Sequence, residues 1–151
     1  MNRYFLLIFF PIALIAQTAT PPSSGDGSSG DPYQIDTLNN LYWITQNSGE
    51  WDKYYIQTSN IDASSTSAWD DGLGFTPLGN NSIKFTGTYD GSGYVINDLN
   101  INRPSTNYTG LFGYTNGSTI KNLGVINVNI TGAERTGGLA GWIKINTTIN
   151  N

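Results

Sequence analysis

Eleven carboxylates, no histidine and no cysteine set the limits on the chemistry this 151-residue chain can perform. Asp62, the adjacent Asp70 and Asp71, Asp90 and Asp98 are the carboxylates that could share acid–base work, as a pair does in polysaccharide cleavage. Their contexts argue against it. Asp70 and Asp71 run straight into Gly72, and Asp90 opens an Asp-Gly-Ser-Gly stretch, so both sites read as turns. A calcium loop needs an acidic or amide residue at every second position before its glycine, and the residues around Asp90 do not supply that series. Asp98 aligns with Asn122 further along, and a catalytic acid has no need of an amide counterpart. Without His there is no HExxH metal site, and without Cys no thiolate cluster. No phosphate-cradling GxxxxGK[ST] occurs, and the glycines follow no dinucleotide-binding pattern. The expectation is a chain that is not an enzyme, with no catalytic residue, no cofactor and no metal.

Aromatic rings are the other groups able to recognise a ligand. Trp43, Trp51, Tyr54, Tyr55, Trp69 and Phe75 gather in the N-terminal part, while Tyr108, Tyr114 and Trp142 form a second group. Exposed rings could stack on sugars. The first group reads better as bulk closing a small core. Tyr114 and Trp142 lie 28 residues apart at matching places in two repeats, so they are the candidate glycan-stacking pair.

The elements that position these side chains follow from composition. Charged residues make up only 12%, aromatics 13%, and there are 18 glycines, which suits many turns and short strands. An acidic chain with seven Lys plus Arg offers no footprint for nucleic acid and little attraction to anionic membranes. Residues 1–16 have the layout of a signal peptide, with one positive charge at Arg3 and an apolar run from Phe5 to Ile15. That run is too short to span a bilayer as a helix, so no membrane insertion of the mature chain is expected. Residues 17–32 are rich in Pro, Ser and Gly and read as a flexible linker. Leu38, Leu41, Tyr42 and Thr45 recur at helical spacing, with Asp36 or Thr37 as the cap and Gly49 as the end. Residues 54–64 read as a strand with Tyr54, Ile56 and Ile61 inside. Strands are also expected around Ile83–Phe85 and Tyr94–Ile101.

Two internal alignments stand out. Ile96 and Leu99 match Ile120 and Leu123 at a spacing of 24, and Gly110, Leu111 and Gly113 match Gly138, Leu139 and Gly141 at 28. Ile120 then pairs with Ile149 at 29. A period of this size marks a repeat architecture, and without a helical pattern it fits one coil of a parallel β-helix. The inward residues would be Ile96, Leu99, Ile101, Leu111, Ile120, Leu123, Val125, Val128, Ile130 and Leu139. Phe112 and Ala140 differ in volume at one place, so that position either faces out or is compensated by neighbours. The motif glycines permit positive φ or close backbone approach, and Asn97, Asn122 and Asn127 suit corners and amide ladders.

"YTGLFGYTNGSTIKNLGV" and "RTGGLAGWIKINTTINN" resemble the repeats of the GLUG family, named for a Gly–Leu–any–Gly core, and "DPYQIDTLNNLYWIT", "YYIQTSNIDAS", "FTPLGN" and "KFTGTYDGSGYVINDLNI" resemble the segment that often precedes them. The resemblance implies an all-β fold, a parallel β-helix over residues 33–151 with a short N-terminal capping helix. It implies Gly110, Leu111, Gly113, Gly138, Leu139 and Gly141 as structural positions and no common catalytic residue. Such repeats occur in large secreted and surface proteins of bacteria, some adhesin-like, and in the non-catalytic part of certain immunoglobulin-A-cleaving metallopeptidases. The expected role is a non-catalytic secreted or cell-surface module, a structural or adhesion-like scaffold. The alternative is a carbohydrate-binding or carbohydrate-active β-helix. Surface glycans or host proteins are the expected partners. Because the second repeat stops part-way, the chain is expected to be the N-terminal fragment of a longer protein.

Overall fold

Thr37 starts the α-helix. Its hydroxyl accepts the Asn40 N–H at 3.2 Å, and Asn40 Oδ1 accepts the Thr37 N–H at 3.1 Å. This reciprocal cap satisfies two donors that a helix start leaves unpaired. The helix, α1 (Leu38–Gln46), fully buries Leu41 and Ile44. It ends at Asn47 rather than Gly49, because the Asn47 side chain donates to the Trp43 carbonyl at 2.8 Å. The computed structural model describes residues 17–150. The signal-peptide reading for residues 1–16 lies outside the described residues, as does Asn151.

The described chain is otherwise short strands and turns, an all-β structure with few helices. The strands are β1 (Tyr33–Ile35), β2 (Tyr54–Gln57), β3 (Ile61–Asp62), β4 (Thr88–Asp90), β5 (Val95–Asn97), β6 (Asn100–Asn102), β7 (Phe112–Thr115), β8 (Thr119–Lys121), β9 (Gly124–Ile126), β10 (Asn129–Thr131), β11 (Ala140–Ile143) and β12 (Thr148–Asn150). They form four small sheets, ordered β1-β2-β4-β8-β12, β3-β5-β9, β6-β10 and β7-β11. Every pair among these strands is parallel. Strands β4 to β7 thus give one strand to each sheet, and β8 to β11 repeat the same order.

Register decides which residues meet. Tyr33, Tyr55, Tyr89, Ile120 and Ile149 occupy one column across five strands. Ile61, Ile96 and Val125 form a second column, and Ile101 meets Ile130. The 24-residue alignment of Ile96 with Ile120 is therefore not the structural one: Ile96 and Ile101 each meet a residue 29 positions on. The error has a physical source. "VINDLNI" and "TIKNLGV" share a pattern because both enter a core, but they belong to different sheets.

The same register corrects three strand readings. In β2 the buried side chains are Tyr55 and Gln57, while Tyr54 is exposed, so the inward set is the opposite one. Gln57 is tolerated inside because its amide donates to Ser59 O at 2.7 Å and accepts the Tyr89 hydroxyl at 3.2 Å. Ile83 is exposed in a turn, and only Phe85 makes an isolated bridge, to Thr115. Residues 94–101 break into β5 and β6 at Asp98, whose φ of 59° turns the corner.

The segment 17–32 is not a free spacer. Thr20 N–H donates to Asn39 O, Gln34 N–H to Ser24 O, and Tyr54 N–H to Gly27 O. The buried Asn40 amide donates to the carbonyls of Thr20 and Pro21. Small polar residues allow close backbone approach, which composition alone cannot distinguish from flexibility. Gly27 shows why: a Cβ there would lie 2.5 Å from the Tyr33 ring. Among the described residues no helix is long and apolar enough to cross a membrane.

Candidate functional site

The Gly–Leu–any–Gly segments lie side by side, where β7 and β11 pair in parallel. Phe112 pairs with Ala140, and Leu78 bridges Phe112 on its other side. A Cβ on Gly113 would stand 2.3 Å from Gly79 O and 2.5 Å from Tyr108 O. On Gly110 it would lie 2.6 Å from Gly137 O, and on Gly141 2.5 Å from Arg135 O. Close approach, not positive φ, is the reason for these three glycines, since none has a left-handed backbone. Gly138 differs: its nearest neighbour would be Val128 Cγ2 at 3.5 Å. Leu111 is fully buried and Leu139 half-buried. Phe112 is also fully buried, its ring 4.9 Å from that of Phe85 and 5.7 Å from that of Tyr89. The Phe112 position thus faces inward among aromatic neighbours, and Ala140, its register partner, is half-buried.

Tyr114 and Trp142 are register partners, with ring centroids 4.9 Å apart and planes 20° apart. Tyr108 lies 5.0 Å from Tyr114 and 5.3 Å from Trp142. Lys84 Nζ sits 5.1 Å from the Tyr114 ring centre, and the Arg135 guanidinium 4.3 Å from that of Trp142. Tyr114 is buried, and both rings already carry an aromatic and a cation against them. A sugar stacking on either ring would first have to displace Lys84 or Arg135. Tyr108 and Arg135, at matching corners, both have φ near 60°, at 62° and 59°. A non-glycine residue holds that conformation at a cost of about 1–2 kcal/mol.

Most of the N-terminal aromatic group is core. Trp51, Tyr55, Trp69 and Phe75 are buried, and Trp43 packs edge-on against Tyr33 at 5.6 Å. Trp51 Nε1 donates to the Ile44 carbonyl at 2.7 Å, which fastens the helix to the strand region.

Four of the five candidate carboxylates, Asp62, Asp70, Asp90 and Asp98, are committed to local partners. Asp62 accepts the Ser64 N–H at 2.9 Å, and this bond holds its pKa below the ordinary value. Asp70 pairs with Arg103 at 2.8 Å, and Asp70 and Asp71 both adopt positive φ. Asp98 accepts the Asn97 amide at 2.7 Å. Its counterpart is Asn127 rather than Asn122, since β5 and β9 pair 29 residues apart. Asp90 lies across from Lys121 at 3.0 Å and accepts from the Ser92 N–H and the Asn122 amide. Burial pushes the Asp90 pKa up, but these three partners outweigh it and leave it low. The positions a cation would fill around this carboxylate are taken by Lys121 and two N–H donors.

The chain is 42% identical over 120 residues to Halomucin of Haloquadratum walsbyi, covering 78% of this chain and 1% of that protein. It is 34% identical over 119 residues to a protein of Evansella cellulosilytica described as a Gly-rich membrane protein, covering 75% of this chain and 13% of the relative. The chain therefore spans only a small part of the relatives it matches. No family model and no solved structure matches it.

Proposed function

We propose that residues 33–151 are a non-catalytic repeat module, of the GLUG type, in a longer secreted or surface-displayed protein. Residues 1–16 would direct export. The single observation that carries this reading is the repeated parallel register. Strands β4–β7 and β8–β11 supply the same four sheets in the same order, and several like residues meet, Thr88 with Thr119, Asn100 with Asn129 and Ile101 with Ile130. We read each such quartet as one coil of a parallel β-helix. Such a unit builds length and stiffness, because each coil buries its neighbour's core. The names of the two relatives, a mucin and a membrane protein, support a place at or outside the cell envelope. Their lengths support a part within a larger chain.

The test is to append a second copy of residues 123–151 after Asn151, so that each added strand continues an existing column. A coil that docks raises the melting temperature and lengthens the particle by about 4.8 Å in small-angle scattering. An added copy that hangs unfolded, with the melting temperature unchanged, would refute the coil reading. Protease treatment of intact cells tests the location: loss of the intact chain supports display, and full protection opposes it.

A further inference from the structure

A groove lies beside the aromatic corner, between the turn at Asn80–Ile83 and the corner at Ser105–Tyr108. Its inner part encloses about 390 Å3, within the range of small-ligand sites, and it continues outward along the same two turns. We propose that this groove binds a neutral oligosaccharide.

The argument begins with two side-chain amides. Asn80 Oδ1 accepts the N–H of Ser82 at 2.8 Å and of Ile83 at 3.0 Å. Asn107 Oδ1 accepts the Glu134 N–H at 3.0 Å. Each oxygen is therefore fixed by backbone, which fixes the opposite end of the amide too. That end is an NH2 group with two donors, and among the described residues neither has a partner. Both residues are exposed and both line the groove. Pre-oriented donors suit a ligand that presents many acceptor oxygens. The hydroxyls of Ser105 and Thr106 beside them can donate or accept, as sugar hydroxyls require.

Charge narrows the class. Arg103 is the ionised side chain lining the inner groove; its Nε donates to the Phe75 carbonyl and its Nη2 to Asp70, the Gly74 carbonyl and Thr76. Its charge is balanced by the Asp70 carboxylate at 2.8 Å, so the inner groove favours a neutral ligand with acceptor oxygens over a phosphate, sulfate or carboxylate. The walls are turns rather than a free strand edge, so an extended peptide lacks the main-chain partners it would need.

Tyr108 supplies the apolar surface. The corner is fixed by the Tyr108 N–H on Glu134 O and the Thr109 N–H on Arg135 O, both at 3.0 Å. Its ring is braced by Tyr114, Trp142 and Arg135. Tyr108 is half-buried and lines the groove, and a side chain already immobilised loses little entropy when a ligand packs beside it.

The experiment is an NMR titration of the isotope-labelled chain with cellotriose, maltotriose, xylotriose, mannotriose and N-acetylchitotriose, each to millimolar concentration. At least one is expected to shift the side-chain amide signals of Asn80 and Asn107 together with the Tyr108 backbone signal. Asn80→Asp and Asn107→Asp keep the oxygen that accepts the backbone N–H but delete the donors. Each is expected to weaken that binding at least tenfold with the melting temperature unchanged. Absence of shifts with all five sugars overturns the proposal, as does binding that moves other residues only or survives both substitutions. Tighter binding of a sulfated than of the matching neutral sugar overturns it as well. None of these failures would touch the repeat-module reading, which rests on register.

Discussion

The Asn127 side-chain amide donates to the Asn97 side-chain oxygen at 2.8 Å, across strands whose residues pair 29 positions apart. Asn127 turns its corner with φ at 51°. Two contributions are joined in one residue, and two substitutions separate them. Asn127→Ala loses both the bond and the tolerance of left-handed backbone, about 2 kcal/mol together. Asn127→Gly keeps the backbone freedom and should lose about half of that. Chemical denaturation distinguishes the two; equal losses would mean that the corner conformation contributes nothing.

The motif glycines should respond unequally to a single methyl group. Gly113→Ala drives a Cβ into two carbonyl oxygens and should cost about 3 kcal/mol or prevent folding. Gly138→Ala meets only a side-chain methyl at van der Waals distance and should change stability by less than about 0.5 kcal/mol. Thermal melts of the two variants give the comparison directly.

One column offers a gradient. Ile120 is buried while Ile149, its register partner, is 40% exposed. Ile120→Ala should therefore cost about 3 kcal/mol and Ile149→Ala less than about 1 kcal/mol. Comparable losses would place Ile149 under some cover.

Trp142→Ala should destabilise the chain by about 2 kcal/mol, from the lost stack on Tyr114 and the lost Arg135 contact. Trp142→Phe should recover most of it. A variant with unchanged melting would show that the ring contributes nothing to the fold.

Asp90 gives a pH dependence. Its folded pKa lies below the ordinary 3.8, so its stabilising effect is complete above that value and fades as pH falls through the folded one. The wild-type melting temperature should therefore fall between about pH 4 and pH 2 more steeply than that of Asp90→Asn. Parallel curves would contradict the Lys121 and Asn122 contacts.

Much of this architecture was legible because burial leaves a trace in residue type. Ile96, Leu99, Ile101, Leu111, Ile120 and Leu123 read as inward and are buried. The helix was readable from Leu38, Leu41 and Thr45, and its cap from Thr37. Register was not. Tyr33, Tyr55, Tyr89, Ile120 and Ile149 share one column at unequal sequence intervals, because corners absorb extra residues without moving the strands. The groove escaped notice for another reason: Asn80 and Asn107 look like any of the chain's many turn amides until their oxygens are seen to be taken.

The two ends of the described structure are unlike. At one, Leu41 and Ile44 of α1 and Ile35 of β1 are sealed from water; at the other, Val125, Val128, Ile130 and Leu139 are only half covered, and β9 to β12 each have a partner on one side alone. Polarity of this kind governs how copies could meet. Another coil can add on the open edges but not over the sealed head, so a stack built from such units grows in one direction.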